Sequence, residues 1–257
     1  MEQILHNLVS TWWGILILCA LSLVVWVLLS AALYRVFFKR FYDILLSGIA
    51  LLVLSPILIL LIIVGAIKMK GNPFFTQLRP GKKEKIFKLI KFRTMTNEKD
   101  ENGKLLPDEV RLTRYGKFLR STSLDELPEL INIFIGNMSI VGPRPQLVRD
   151  MVFMTEEQRK RHMVTPGLTG LAQCSGRNNM TWEQKFDYDL QYIKKISLWK
   201  DLAIIFTTAL KVFKRDGITE EGEATATDLG DYLLSKGEVT DEQYNELQLE
   251  AKELMKV

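Results

Sequence analysis

Residues 44–67 read ILLSGIALLVLSPILILLIIVGAI, 24 positions without a charged side chain. About 20 apolar residues suffice to cross a bilayer as a helix. Yet Lys39 and Arg40 precede this run and Lys68 and Lys70 follow it, so both ends carry the charge of a cytoplasmic flank. A straight crossing would leave one basic cluster outside. Ser55-Pro56 lies near the middle of the run. Proline there removes the hydrogen bond to the Leu52 carbonyl and kinks the helix, and the Ser55 hydroxyl can satisfy part of the freed backbone. Together these features predict a helix over residues 35–70 that bends and returns to the face it entered. A proline-kinked spanning helix is the competing reading.

A second uncharged run, 28 residues from Asn7 to Tyr34, lies upstream. It is too long for the apolar core of a signal peptide and lacks a basic start. Positive charge follows it instead, at Arg35, Lys39 and Arg40, and Trp12, Trp13 and Tyr34 flank it as interfacial aromatics would. Residues 1–34 therefore read as a spanning helix with Met1 outside and Arg35 in the cytoplasm.

Charge is partitioned along the rest. Lys68 to Arg120 holds 15 Lys/Arg against 6 Asp/Glu, whereas Asp216 to Val257 holds 3 against 12. A basic block after a membrane segment faces anionic headgroups or binds phosphates, with nucleic acid as the rival partner. Cys19 and Cys174 are the only cysteines and His6 and His162 the only histidines, which gives neither a disulfide framework nor a zinc pattern.

The water-facing part, residues 71–227, reads as mostly helical with a few short strands, an α+β arrangement. Phe74 to Gln77 and Ile86 to Phe92 look like strands around an Arg79-Pro80-Gly81 turn. Arg114 to Leu119, Leu124 to Phe134, Asn179 to Ile196 and Leu198 to Arg215 read as helices. Gly142 to Pro145 cannot be helix interior, and Thr165 to Gly170 reads as turns.

Ser123-Leu124-Asp125-Glu126-Leu127-Pro128 holds the densest chemistry. Ser-x-x-Glu is a capping box, and acids in a first turn complement the helix dipole; on local sequence alone the cap is favoured. The same physics has a functional use. A helix N-terminus keeps Asp125 ionised, and an ionised carboxylate can attack phosphorus or hold a divalent cation. Adjacent acids rarely share one helical face, so Asp125 and Glu126 should differ in role. In Gly142-Pro143-Arg144-Pro145 two prolines fix the backbone around one arginine, which suits forked recognition of phosphate; a surface turn is the alternative. Arg93, Arg120 and Arg177-Asn178 add groups for a polyphosphate. No phosphate-binding GxxxxGKS/T loop or GxGxxG turn is present, and only His162 could serve a serine triad.

Read together, these stretches resemble the bacterial sugar transferases, the monotopic polyprenol-phosphate phosphoglycosyl transferases, and especially their small members. The resemblance runs in order through Ser55-Pro56, Phe75-Thr76-Gln77 with Arg79-Pro80-Gly81, Lys91 to Met95, Arg120 with Ser123 to Pro128, and Gly136 to Ser139 with Gly142 to Pro145. It continues through Pro166 to Gly170, Gly176-Arg177-Asn178, Trp182, Lys185, Tyr188 and Asp189. Asn137 stands where relatives often carry Asp. The resemblance implies a ping-pong transfer of sugar 1-phosphate from a UDP-sugar to polyprenol (undecaprenol) phosphate. Asp125 would be the covalent nucleophile and lie near Mg²⁺, Glu126 its dyad partner, and Arg93, Arg120, Arg144, Arg177 and Asn178 the substrate-binding groups. It also favours the re-entrant helix, a cytosolic catalytic face on the bacterial inner membrane, contact with membrane lipids and no nucleic-acid partner.

Residues 228–257 lie outside that resemblance. Thr240-Asp241-Glu242-Gln243 is a capping box, and Tyr244, Leu247, Ala251 and Leu254 form one apolar stripe. A helix packed on the domain, or on a second subunit in a homo-oligomer, is expected there. Two other classes stay open: a membrane-tethered polyanion binder, which would not need Asp125, and an inactive scaffold of the same fold.

Overall fold

The computed structural model describes residues 12–176, 180–214 and 227–256. Trp12–Lys68 form one 57-residue helical run, long and apolar enough to cross a membrane. It consists of α1 (Trp12–Leu33), a π-helical turn (Tyr34–Phe38) and α2 (Lys39–Lys68). The run is bent. The Ser30 and Tyr42 hydroxyls lie 2.9 Å apart and the Trp26 and Phe38 rings 5.0 Å apart. Each pair is separated by 12 residues, which a straight helix would space by about 18 Å along its axis. The bend falls at the π turn, a common place for one. Pro56 lies inside α2, and Ser55 Oγ donates to the Leu52 carbonyl at 2.7 Å, taking up the acceptor that proline leaves unpaired.

One face of α2 is covered by the rest of the protein. Asp43, Ser47, Leu61 and Gly65 are buried, and Ala50, Leu51, Leu54, Leu58 and Ile62 pack against core clusters. Steps of three and four residues make this a single stripe. Ile44, Ile49, Leu52, Val53, Ile59, Leu60, Ile63 and Ile67 face outward. Both ends are fastened: Arg40 donates to the carbonyls of Ile133 (2.6 Å) and Phe134 (2.7 Å), and Tyr115 Oη donates to that of Leu61 (2.9 Å).

Strands β1 (Phe74–Pro80) and β2 (Ile86–Phe92) pair antiparallel, from Phe74 opposite Phe92 to Pro80 opposite Ile86. The hairpin differs from the expected one, because Arg79 and Pro80 belong to the strand and the turn is Gly81 to Lys85. A two-stranded sheet has two free edges, so a proline at the strand end is tolerated. Next come α3 (Asp108–Arg111), α4 (Arg114–Thr122), a 3₁₀ turn (Leu124–Glu126) and α5 (Glu129–Ile135). They are followed by β3 (Ser139–Val141), α6 (Val148–Met151), α7 (Glu156–Arg159) and β4 (Gly167–Thr169). Residues 167–169, expected as turns, instead pair in parallel with β3. A Cβ on Gly167 would lie 2.0 Å from the Gly142 nitrogen, so glycine is what permits the close approach. The order ends with α8 (Leu171–Ser175), α9 (Trp182–Lys194), α10 (Leu198–Lys214), α11 (Leu229–Ser235) and α12 (Asp241–Leu254).

The mixed, helix-rich architecture agrees with the α+β expectation. The single helix expected over Leu124 to Phe134 does not form. Ser123 ends α4 in the left-handed region at φ 55°, and its side chain caps nothing. Pro128 then separates the 3₁₀ turn from α5. The tail behaves as its pattern indicated. Thr240 and Gln243 form the capping box, and Tyr244, Leu247, Ala251 and Leu254 pack with Val148, Met151 and Phe153.

Candidate active site

Three elements converge on the Asp125-Glu126 pair. The first is β2, set against α5 by Asn132, whose amide accepts from Ile90 N (3.0 Å) and donates to the Lys88 carbonyl (2.8 Å). Asn132 is fully buried and acts as a short extra strand, which fixes where Lys91 meets α5. The second is α4, seated on Thr94: a Cβ on Gly116 would come within 1.9 Å of the Thr94 carbonyl oxygen. Arg120 on α4 donates from Nε to Thr94 Oγ1 at 3.2 Å.

The third is the loop 142–145, and its backbone is pinned at several points. Gly142 N donates to the Thr169 carbonyl (2.8 Å) and Gly167 N to that of Pro143 (3.0 Å). Arg161, buried and paired with Asp189 at 2.6 Å, donates to the Arg144 carbonyl at 2.6 Å. Arg79 donates to the Pro145 carbonyl at 3.1 Å. The Arg144 side chain is thus presented from a rigid backbone, which lowers the ordering cost of gripping an anion.

The two neighbouring acids are treated differently. Glu126 is claimed from two sides, by Arg144 at 2.6 Å and Lys91 at 2.7 Å. Burial opposes its ionisation, but the charges of Arg144 and Lys91 outweigh burial and hold it well below the usual carboxylate range. Asp125 makes no hydrogen bond or ion pair among the described residues. Burial, and then the adjoining Glu126, push it above the ordinary range, with Lys91, Arg144 and Arg120 pulling the other way. The helix N-terminus expected at Asp125 is not there: it sits in a 3₁₀ turn between two helices, and the charges of Lys91, Arg144 and Arg120 are what oppose the upward shift.

Two further groups belong to the cluster and were not singled out from the sequence. Lys91 also pairs with Glu129 at 3.2 Å, and Glu129 is 3% exposed. Burial, then the Glu126 charge, raise Glu129 to about 7. Glu129 follows Glu126 by three residues, the spacing of neighbours on a helix face, and that signal could have pointed to it. Arg93, two residues beyond Lys91, directs its guanidinium to the Phe74 carbonyl at 3.4 Å, and no described contact links it to Asp125 or Glu126. Arg177 and Asn178 lie outside the described residues.

No group of three or more His, Cys, Asp or Glu side chains that could enclose a metal occurs among the described residues. Mg²⁺ can also be held in a different way, through one or two carboxylates and the substrate's own phosphates, which offset the charge of nearby cations. Asp125 fits that role, since its oxygens are uncommitted among the described residues.

Residues 34–215 match the family described as bacterial sugar transferase. A Bacillus subtilis protein named as an uncharacterized sugar transferase, EpsL, is 45% identical over 188 residues, covering 73% of this chain and 93% of that protein. The UDP-glucose:undecaprenyl-phosphate glucose-1-phosphate transferase of Klebsiella pneumoniae is 44% identical over 188 residues, covering 68% of this chain and 40% of the relative. The undecaprenyl-phosphate galactose phosphotransferase of Salmonella typhimurium is 36% identical over 199 residues, covering 70% of this chain and 41% of the relative. This chain therefore spans nearly all of the Bacillus relative and about two-fifths of the other two. The carboxylates, the cation cluster and the pinned arginine loop all fall inside the matched region, and the chain belongs to the bacterial sugar transferase family.

Proposed function

We propose that the chain transfers a sugar 1-phosphate from a UDP-sugar to undecaprenol phosphate through a phosphosugar bound to Asp125. The observation that carries this reading is the contrast within the pair: Glu126 is locked by Arg144 and Lys91, while Asp125, among the same cations, has no hydrogen bond or ion pair with any described residue. A nucleophile needs an available lone pair and an electrophile held nearby by positive charge. Asp125 attacks the sugar-linked phosphorus, a carboxylate–phosphorus bond forms, and the phosphoanhydride bond to UMP breaks with its electron pair leaving on UMP. An oxygen of undecaprenol phosphate then attacks the same phosphorus, which breaks the acyl phosphate and regenerates the carboxylate.

Arg144 and Arg120 provide charge for the diphosphate, and Lys91 holds Glu126 in place. Asp125 would be the protein group that holds Mg²⁺, which would supply neutralisation of phosphate charge. Glucose and galactose are the sugars in the relatives' names, and either is a first donor to try.

The same construction supports a re-entrant membrane placement. Because both ends of α2 are fastened to the domain that carries Asp125, a re-entrant path that leaves both on one side is favoured over a crossing. Outward Trp199, Leu202, Phe206 and Leu210 on α10, with Ile131, Phe134 and Ile135 on α5, supply further apolar surface for the bilayer. The positive flanks support a cytoplasmic position for that side, on a bacterial inner membrane.

The test is a single-turnover experiment in lipid discs with radiolabelled UDP-sugar and Mg²⁺ but no lipid acceptor. One UMP released per site, with label retained on the protein and chased off by undecaprenol phosphate, is expected. UMP release that strictly requires the acceptor would sink the covalent route. An impermeant thiol reagent reaching a cysteine at Lys70 from outside intact cells would sink the re-entrant path.

A further inference from the structure

The tail α11–α12 lies beyond the matched residues 34–215, yet it is tied to the parts that hold Arg144. Asp150, 2% exposed, uses both carboxylate oxygens. Oδ2 accepts from Leu147 N at 3.1 Å, fixing the start of α6 just after Pro145, and Oδ1 accepts from Leu229 N at 3.0 Å. One buried acid thus joins the arginine loop's exit to the tail's first turn. Arg149 and Asp228 form an ion pair beside it.

A second connection runs through α9. Trp182 Nε1 donates to the Thr227 carbonyl at 3.3 Å, and Trp182, Phe186 and Leu229 share one core with Val148 and Met151. The same helix carries Asp189, which holds Arg161 against the Arg144 carbonyl. Both connections end on the backbone around Arg144, and neither reaches the Asp125 turn.

We propose that the C-terminal tail is a positioning clamp for the Arg144 loop, tuning its grip on a nucleoside-diphosphate sugar. A tail serving only stability could pack anywhere on the domain. This one spends a buried carboxylate and an indole donor on the elements that set Arg144. The assignment of the ligand rests on the function proposed above, but the mechanical coupling does not.

The test uses the full chain in lipid discs with Gly230→Val. A Cβ at Gly230 would lie 2.7 Å from the Phe153 ring and 3.1 Å from that of Tyr244, so a branched side chain forces α11 off its seat. Limited proteolysis reports the release. Expected are faster amide hydrogen exchange over residues 147–151 and unchanged exchange in α4 and α5. The KM for the UDP-sugar should rise roughly three- to ten-fold with kcat nearly unchanged. A released tail with neither faster exchange at 147–151 nor a raised KM would overturn the clamp, as would a uniform loss of protection across the domain. Should Gly230→Val fail to fold, Trp182→Phe keeps the ring and removes only the indole donor; the same pattern at smaller amplitude is expected, and its absence counts equally against the clamp. If wild-type protein turns over no UDP-sugar, the proposed function fails alone, and the exchange comparison still decides the coupling.

Discussion

At Asp201 both carboxylate oxygens are taken by the protein. Oδ2 accepts from Lys39 at 2.6 Å and Tyr34 at 2.7 Å, and Oδ1 accepts from Tyr192 at 2.9 Å. At Asp125, also surrounded by cations, neither oxygen has a partner among the described residues. The first arrangement is a fastening. It ties the π turn at the base of α1 to α9 and α10, and Tyr192 also donates to the Val141 carbonyl at 3.2 Å, one residue before Gly142. The second leaves lone pairs that no described residue engages. Saturating a buried acid builds structure, whereas charge gathered around an unsaturated one prepares it for a ligand. Glu126 stands between the two: its Oε1 accepts from both Lys91 and Arg144, no described bond engages its Oε2, and it lies beside Asp125.

The widest separation should come from removing the carboxylate at each of the two aspartates. Asp125→Asn keeps size and polarity, so it should melt within a degree or two of wild type while turnover falls by several orders of magnitude, as for other lost nucleophiles. UMP release and thermal melting, measured on one preparation, check both halves. Substantial activity in this variant would erase the contrast. Asp201→Ala should do the opposite. It leaves Lys39 and the buried Tyr34 hydroxyl without their acceptor, at a cost of about 3–5 kcal/mol, the usual penalty for stranding a buried charge. Whatever folds should keep most of its kcat.

Arg144→Lys sharpens the intermediate case of Glu126. A lysine keeps the charge but loses the fork, so kcat/KM should drop about 10–100-fold, in line with one lost charge-assisted hydrogen bond. Steady-state kinetics matching wild type would return Arg144 to a surface turn.

The smallest effect concerns Glu129. Its folded value of about 7 lies above that of the unfolded chain, so in the window up to about pH 7 the folded protein holds a proton that the unfolded one has released. The stability this group contributes is present at low pH and is lost as pH rises through about 7. Glu129→Gln is neutral throughout, so relative to wild type it should gain on the order of 2–4 °C in Tm between pH 5 and pH 8. A parallel pair of Tm–pH curves would show that Lys91 already satisfies Glu129 as a carboxylate.

Much of the site was legible because the residues that bear chemistry are short-range in sequence. Asp125 and Glu126 are adjacent, and Arg144 stands between two prolines whose stiffness can be read without a structure. Lys91 and Glu129 were harder. Neither means much until Asn132 sets the strand against α5 and their charges meet. The misread helix start at Ser123 has a local cause. A Ser-x-x-Glu pattern forms a box only if serine adopts extended angles, and here Ser123 instead ends the preceding helix in the left-handed region.

Amino-acid order alone determined that the chain has long apolar helices, which flanks carry positive charge, that the tail would pack as an amphipathic helix, and which motif carries the acids. These depend on composition and on periods of three to four residues, and both are written along the chain. Tertiary structure alone decided where the long helical run bends, that both ends of α2 are bound to one domain, and which of two adjacent acids is claimed by Arg144 and Lys91. Those outcomes depend on partners 18 to 167 residues away, and no local pattern encodes which distant cation will claim a carboxylate.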